Sequence, residues 1–190
     1  MIPKIEFVYS SIYDSMWPKP KKKLSENIID NYLNSIEKIW KKEGGKILSE
    51  ISKISGLKWK EEKIKCYLLS GGRCFSYPLT ITYFKDKNRF IDILTHELIH
   101  QIQIQYADWD KWKFYFFKNY GKYNQESLLT KGHIFLNAVH YKILKKLYGK
   151  KRLNLNIKRH DKWADYKRAW EIVKEEGYEN IIKNFKDSQK

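Results

Sequence analysis

The chain has 190 residues, and its 38 Lys and Arg against 22 Asp and Glu give a formal net charge of +16. A hydrophobic content of 42% suffices for the core of one domain, and two cysteines exclude a disulfide-rich scaffold or a four-cysteine zinc ribbon. Because the chain has neither an apolar run of the ~18–20 residues that span a bilayer nor a signal-peptide pattern at its start, we expect a cytoplasmic protein without a membrane span.

The positive charge has two interpretations. An excess of lysine attracts nucleic acid, anionic lipid or acidic substrates, so a weak association with nucleic acid is expected. A thermophile-like composition, with its charge spread over the surface, is the alternative. The lysines are dispersed and no aromatic RNA-binding signature is present, which favours the second interpretation. The one dense basic run, Lys19 to Lys23, predicts an exposed linker.

The first half of the chain predicts an irregular start, two helices and two strands. Residues 1–23 contain three prolines and are predicted to be irregular. Ser25 is the predicted N-cap of a helix that ends at Gly44 and Gly45, and a second helix over 46–55 ends before Gly56. Strands are predicted over 63–69 and 75–84, joined by a glycine-rich turn. Pro78 lacks a backbone donor, which makes the second strand an edge strand.

Two cysteines, Cys66 and Cys74, flank that glycine-rich turn. They could form a disulfide across a hairpin, as some intracellular proteins of hyperthermophiles do. Two free thiols are the alternative, and their seven-residue separation is not that of a zinc knuckle.

The most informative pattern for chemistry is His-Glu-Leu-Ile-His at 96–100. A predicted helix over 90–106, with Asp86 or Asn88 as N-cap, contains it. Residues four apart lie on one face of a helix, so His96 and His100 can bind one metal ion from a single turn. Zinc suits two imidazoles with a third protein ligand, and Glu97 is placed to accept a proton from the attacking water.

A third ligand is expected from a later helix, predicted over 124–147. Glu126, His133 and His140 are spaced seven apart, which keeps them on one face, and any of them could complete the site. An aromatic stretch, 109–123, precedes this helix and a basic connector, 149–156, follows it. Helices over 161–175 and 178–185, separated at Gly177, end the chain. Their apolar residues either complete the core or cover the cleft as a lid.

Three segments, 76–81, 96–100 and 130–134, resemble small metallopeptidases of the gluzincin type called minigluzincins. The resemblance covers roughly residues 62 to 147 and implies a strand that binds substrate, a helix with the paired histidines and a later helix with the third ligand. It implies His96 and His100 as ligands and Glu97 as general base. Gluzincins usually have a glutamate as third ligand, which indicates Glu126. The sequence Gly-His-Ile at 132–134 instead resembles a variant with a histidine ligand, and we favour His133.

The resemblance also implies a substrate position, and the proposed chemistry requires a hydrogen-bond donor. A peptide or protein substrate would extend along the predicted strand, which offers a set of four consecutive residues: Leu79, Thr80, Ile81 and Thr82. Candidates for stabilising the transition-state oxyanion, or for supporting the ligands, are His140, Tyr141, Tyr120 and Tyr123.

The predicted fold is α+β, with a small twisted sheet, a motif helix, a third-ligand helix and helices at both ends. We predict one compact unit, in which an N-terminal segment, 1–61, and a helical extension, 148–190, flank a core, 62–147. The predicted function is zinc-dependent peptide hydrolysis. One alternative is a DNA-associated protease of the SprT-like kind, although His133 follows His100 by 33 residues, a long interval for that group. Another is a basic binding protein with a degenerate metal site.

Overall fold

The computed structural model describes residues 1–18, 24–106 and 121–189. The predicted linker Lys19 to Lys23, Tyr120 and most of the aromatic stretch 109–123 lie outside the described residues. Within them the fold is α+β, as predicted. The strands are β1 (Lys4–Tyr9), β2 (Lys63–Leu69) and β3 (Thr80–Thr82). The helices are α1 (Ser11–Ser15), α2 (Glu26–Ser55), α3 (Lys87–Ile104), α4 (Leu128–His160), α5 (Ala164–Glu176) and α6 (Tyr178–Ser188).

The contacts divide the chain into two compact units. The first comprises Met1–Glu50 and Lys58–Ile102, and it contains the sheet, α1 and most of α2 and α3. The second comprises Ile51–Leu57 and Gln103–Lys190, and in it α5 and α6 both pack on α4. In the described part of the chain, no helix is both long enough and apolar enough to cross a bilayer. The predicted boundaries of the core, at residues 61 and 147, stay a prediction.

The sheet has the order β1-β2-β3, and both pairs are parallel. The predicted hairpin between the second and third strands is therefore wrong, although β2 has the predicted bounds. The predicted strand over 75–84 is reduced to Thr80–Thr82, because Phe75 turns back and forms an isolated antiparallel bridge with Thr80. Cys66 and Cys74 are both free thiols.

The predicted irregular start is wrong for residues 4–15, which form β1 and α1. Pro3 lies just before the strand, where a missing backbone donor costs no ladder bond. In β1 the buried Ile5 alternates with the exposed Lys4, the pattern of a strand with one face on a core. Ser10 then caps α1, because its Oγ accepts a hydrogen bond from the Tyr13 backbone at 3.3 Å.

The predicted break at Gly44 and Gly45 is also wrong, since α2 continues through both to Ser55. The indole of Trp40, one turn earlier, lies over Gly44, and a Cβ there would be 2.4 Å from the ring. Gly44 thus makes room for a side chain rather than ending the helix. The ends of α2 agree with prediction, because Ser25 Oγ lies 3.4 Å from the Ile28 amide it caps and Gly56 follows with a φ of +80°.

The later helices follow the predicted order, but their limits differ from those predicted. The carboxylate of Asp86 accepts from the Asn88 amide at 3.0 Å and caps α3, as predicted. Helix α4 begins at Leu128, with Ser127 as N-cap. The predicted connector 149–156 is wrong, because α4 resumes after a kink and runs to His160. Gly149 makes the kink with a φ of +80°, a conformation that glycine adopts without strain. Gly177 separates α5 from α6, as predicted.

Candidate metal centre

The His-Glu-Leu-Ile-His pattern lies in the second half of α3. The helix forms there because its apolar residues recur at helical spacing and are completely buried: Phe90, Leu94, Leu98 and Ile102. The rings of His96 and His100 are 5.1 Å apart between centroids and stand at 78° to one another. His96 is buried and His100 is half-buried. Both imidazoles therefore occupy one side of a single turn, as the spacing predicted.

Glu97, between the two histidines in sequence, is an unusual carboxyl group. Its side chain is buried, and burial raises its pKa to about 8 because a carboxylate loses water there. A group with such a pKa can both accept and release a proton near neutral pH, which general acid–base chemistry requires. The metal-free centre therefore holds a proton at neutral pH.

His133 lies on the first half of α4 and is buried. Its Nδ1 donates to the backbone oxygen of Leu129 at 2.7 Å, so Nε2 carries the lone pair. Burial lowers its pKa, which keeps the imidazole neutral at pH 7. A carbonyl that holds one ring nitrogen of a histidine is the usual support for a metal ligand. The ring of Tyr166, on α5, stands edge-on to His133 at 4.6 Å between centroids.

The predicted ligands are divided between the two units. His96 and His100 lie together on α3 of the first unit, and His133 lies on α4 of the second. The chemistry of these imidazole donors decides which metal they suit.

The other candidate ligands and donors lie on α4 or in the segment just before it, and each has different surroundings. The carboxylate of Glu126 accepts from Arg168 Nε at 2.8 Å. The hydroxyl of Tyr123 donates to Glu176 at 2.7 Å. Tyr141 stacks on Tyr178 of α6 at 4.5 Å. His140 is completely buried on α4.

The four predicted substrate-binding residues, 79–82, are all buried. The outer edge of β3 is paired with the chain itself, because Thr80 and Phe75 exchange two backbone hydrogen bonds of 2.8 and 3.0 Å. The next outward amide, that of Thr82, donates to the Cys74 sulfur at 3.3 Å. Gln101 of α3 donates from Nε2 to the Ser76 carbonyl. Residues 74–76, which we call the edge clip, therefore occupy the edge along which a substrate strand was predicted.

The sequence interpretation missed Tyr166 and the edge clip. Tyr166 follows His133 by 33 residues and belongs to an ordinary amphipathic helix, so no local pattern indicates the contact. Phe75 and Cys74 were included in a predicted strand and a predicted turn, and only the return of the chain onto Thr80 reveals their role. Comparison with known proteins gives no further assignment: no family model matches the chain, and no curated protein or solved structure matches it.

Proposed function

We propose that the protein is a zinc-dependent peptidase, with His96, His100 and His133 as ligands and Glu97 as general base. The His-Glu-x-x-His turn of α3 carries this proposal, because it joins two imidazoles on one helical face to a buried carboxyl group with a pKa near neutrality. Neutral imidazole nitrogens are ligands that zinc prefers, and three of them leave a position open for chemistry.

The choice of third ligand follows from hydrogen bonding on the second unit. The contact with Leu129 fixes the tautomer of His133 and directs the lone pair to Nε2. Glu126 is instead neutralised by Arg168, and moving it to a metal would leave that guanidinium without its closest carboxylate. We therefore favour His133 over Glu126.

Zinc, when bound, lowers the pKa of a coordinated water and polarises a carbonyl group. The protein's own part is proton transfer, in which Glu97 accepts the proton of the attacking water and delivers it to the leaving amine. A peptide substrate would pair with β3 as an added strand. That pairing requires the edge clip to leave Thr80 and Thr82 first.

Metal analysis of purified, zinc-reconstituted protein tests the proposal. We expect about one zinc per chain, loss of zinc in His100→Ala and in His133→Ala, and retention in Glu126→Ala. His160→Ala, a histidine substitution elsewhere on α4, is the matched control and should retain zinc. Loss of zinc from Glu126→Ala but not from His133→Ala would transfer the third position to Glu126.

The same preparation tests the reaction. Glu97→Gln should retain zinc and fold, while hydrolysis of an unstructured protein substrate falls by at least about 100-fold, because only the proton acceptor is removed. Turnover near that of the wild type would remove Glu97 from the mechanism. A wild-type chain that takes up no zinc contradicts the whole proposal and favours a binding protein with a degenerate site.

The net charge of +16 favours a second candidate, a protease that acts on DNA-bound proteins. Duplex DNA should then bind the protein with an affinity that falls steeply with salt and should increase hydrolysis of a DNA-bound substrate. Hydrolysis that is indifferent to DNA favours the first candidate.

A further inference from the structure

The end of the sheet at β1 presents backbone groups outward. The Lys4 amide donates to the Glu62 carbonyl of the neighbouring chain segment at 2.8 Å. In a parallel pair every second residue faces the neighbour, so Lys4, Glu6 and Val8 face β2, while Ile5 and Phe7 direct their N–H and C=O groups away from it. Among the described residues, none bonds the backbone of Ile5 or Phe7 on that outer side. A strand with such an edge can pair with another chain.

A groove lies beside this edge, between β1 and α2. It has a volume of about 460 Å³ and is lined by Lys4, Ile5, Glu6, Phe7, Val8, Glu37, Trp40 and Lys41. Its apolar part is formed by Phe7 and Trp40, whose rings meet edge-on at 6.0 Å. Side chains on one face of an added strand would enter this groove, and apolar ones would cover the two rings.

The opposite face of β1 has a different character, because lysines surround its one carboxylate. Glu6 bonds Lys63 at 2.7 Å and Lys4 at 3.7 Å, and Lys65 is its partner in the strand register. Three positive charges therefore surround one negative charge, and the hydrogen bond from Lys63 is the main cause that lowers the pKa of Glu6. Side chains of an added strand on this face would meet a net positive surface, which favours acidic residues.

We propose that the edge of β1 binds an extended segment of a partner protein in which acidic and apolar residues alternate. The apolar side chains face Trp40 and Phe7, and the backbone pairs with Ile5 and Phe7. The acidic side chains lie beside Lys4, with the positive charges of Lys63 and Lys65 one strand further into the sheet. A second copy of this chain fits less well, because each copy carries a net charge of +16 and would bring lysines against lysines. The surface is separate from the candidate metal centre and does not depend on the proposed function.

A blocked hexapeptide of alternating Glu and Val, titrated into the full chain, tests this inference. Amide exchange measured by NMR should slow at Ile5 and Phe7 by about tenfold or more at saturating peptide, whereas a Lys and Val hexapeptide should leave it unchanged. Lys65→Glu should weaken binding of the acidic peptide about fivefold, since an exposed charge contributes up to roughly 1 kcal/mol. Lys158→Glu, the same charge change on an exposed residue of α4, should leave binding unchanged.

Three outcomes would overturn the inference. Ile5 and Phe7 amides that exchange equally fast with and without the acidic peptide would show that the edge does not pair. Equal weakening by Lys65→Glu and Lys158→Glu would show binding through net charge alone. Protection that rises with protein concentration in the absence of peptide, together with a doubled mass, would assign the edge to a second copy of the chain.

Discussion

The two ends of the sheet have the same topological position and different chemistry. Among the described residues, each end strand has β2 as its single neighbouring strand. At β1 the outward backbone of Ile5 and Phe7 borders an open groove, whereas at β3 the edge clip bonds Thr80 and Thr82. Strand order therefore identifies an end strand but does not show whether its edge can accept another chain. The hydrogen bonds of the outward residues decide that property.

Two glutamates, one near each end of the sheet, differ in the direction of their pKa shifts. Glu6 is half-buried beside three lysines, and its pKa is lowered mainly by the hydrogen bond from Lys63. Glu97 is buried and its pKa is raised to about 8. In the edge clip, burial is the main cause that raises the pKa of the Cys74 thiol, and the charge of Glu97 adds to it. The carboxylate near β1 is thus stabilised by lysines, while the end at β3 adjoins a region where ionisation is costly.

The largest expected effect concerns Glu97. Its folded pKa is above the unfolded value near 4.5, so the protonated carboxyl stabilises the metal-free fold below that value, and the contribution disappears as the pH rises through 8. The free energy of unfolding in urea should fall by roughly 4 kcal/mol between pH 4.5 and pH 8.5, and Glu97→Gln should remove most of that fall. Glu6→Gln, at a half-buried carboxylate whose pKa is lowered, is the control. An equal pH dependence in wild type and Glu97→Gln would contradict the burial argument.

Hydrogen exchange compares the two edges directly. Amides of Thr80 and Thr82 should exchange about 100-fold more slowly than those of Ile5 and Phe7, because the edge clip must open first and an opening free energy of about 3 kcal/mol corresponds to that factor. NMR exchange on metal-free protein measures all four in one sample. Similar rates at both ends would mean that the clip is open most of the time.

A smaller effect is expected from loosening the clip. The ring of Phe75 packs on Trp17 at 5.1 Å, and such an aromatic contact is worth about 1 kcal/mol. If the protein is a peptidase that binds substrate on β3, Phe75→Ala should raise kcat/KM about fivefold with unchanged zinc content. Tyr77→Ala, which removes an exposed ring just beyond the clip, is the control. Reduced activity in Phe75→Ala with an intact fold would indicate that the clip supports the site instead of closing it.

Local patterns predicted local structure well. Helix ends at Ser25, Gly56 and Gly177, the bounds of β2 and the paired histidines of α3 all follow from residues within one or two turns. Features that depend on distant partners could not be predicted. The parallel pairing of β3 is set by where the chain returns, and the kinked continuation of α4 by packing against α5 and α6.

The candidate site divides in the same way. The spacing of His96, Glu97 and His100 made their shared face predictable, and the heptad spacing of α4 indicated its polar side. The choice between His133 and Glu126 depends on Leu129 and Arg168. Arg168 lies 42 residues beyond Glu126, so no sequence pattern could indicate that pairing.

Gly44 links a helix interior to the groove beside β1. Replacing a helical glycine with alanine ordinarily stabilises a protein by up to about 1 kcal/mol. Here the added methyl group would lie 2.4 Å from the Trp40 indole, so this ring, which contacts Phe7 and lines the groove, would have to shift. A substitution that improves helix propensity would thus reshape a groove to which Gly44 itself contributes no atom. If the edge of β1 binds a partner as proposed, glycine replacement for thermal stability would alter that binding without changing a residue of the groove.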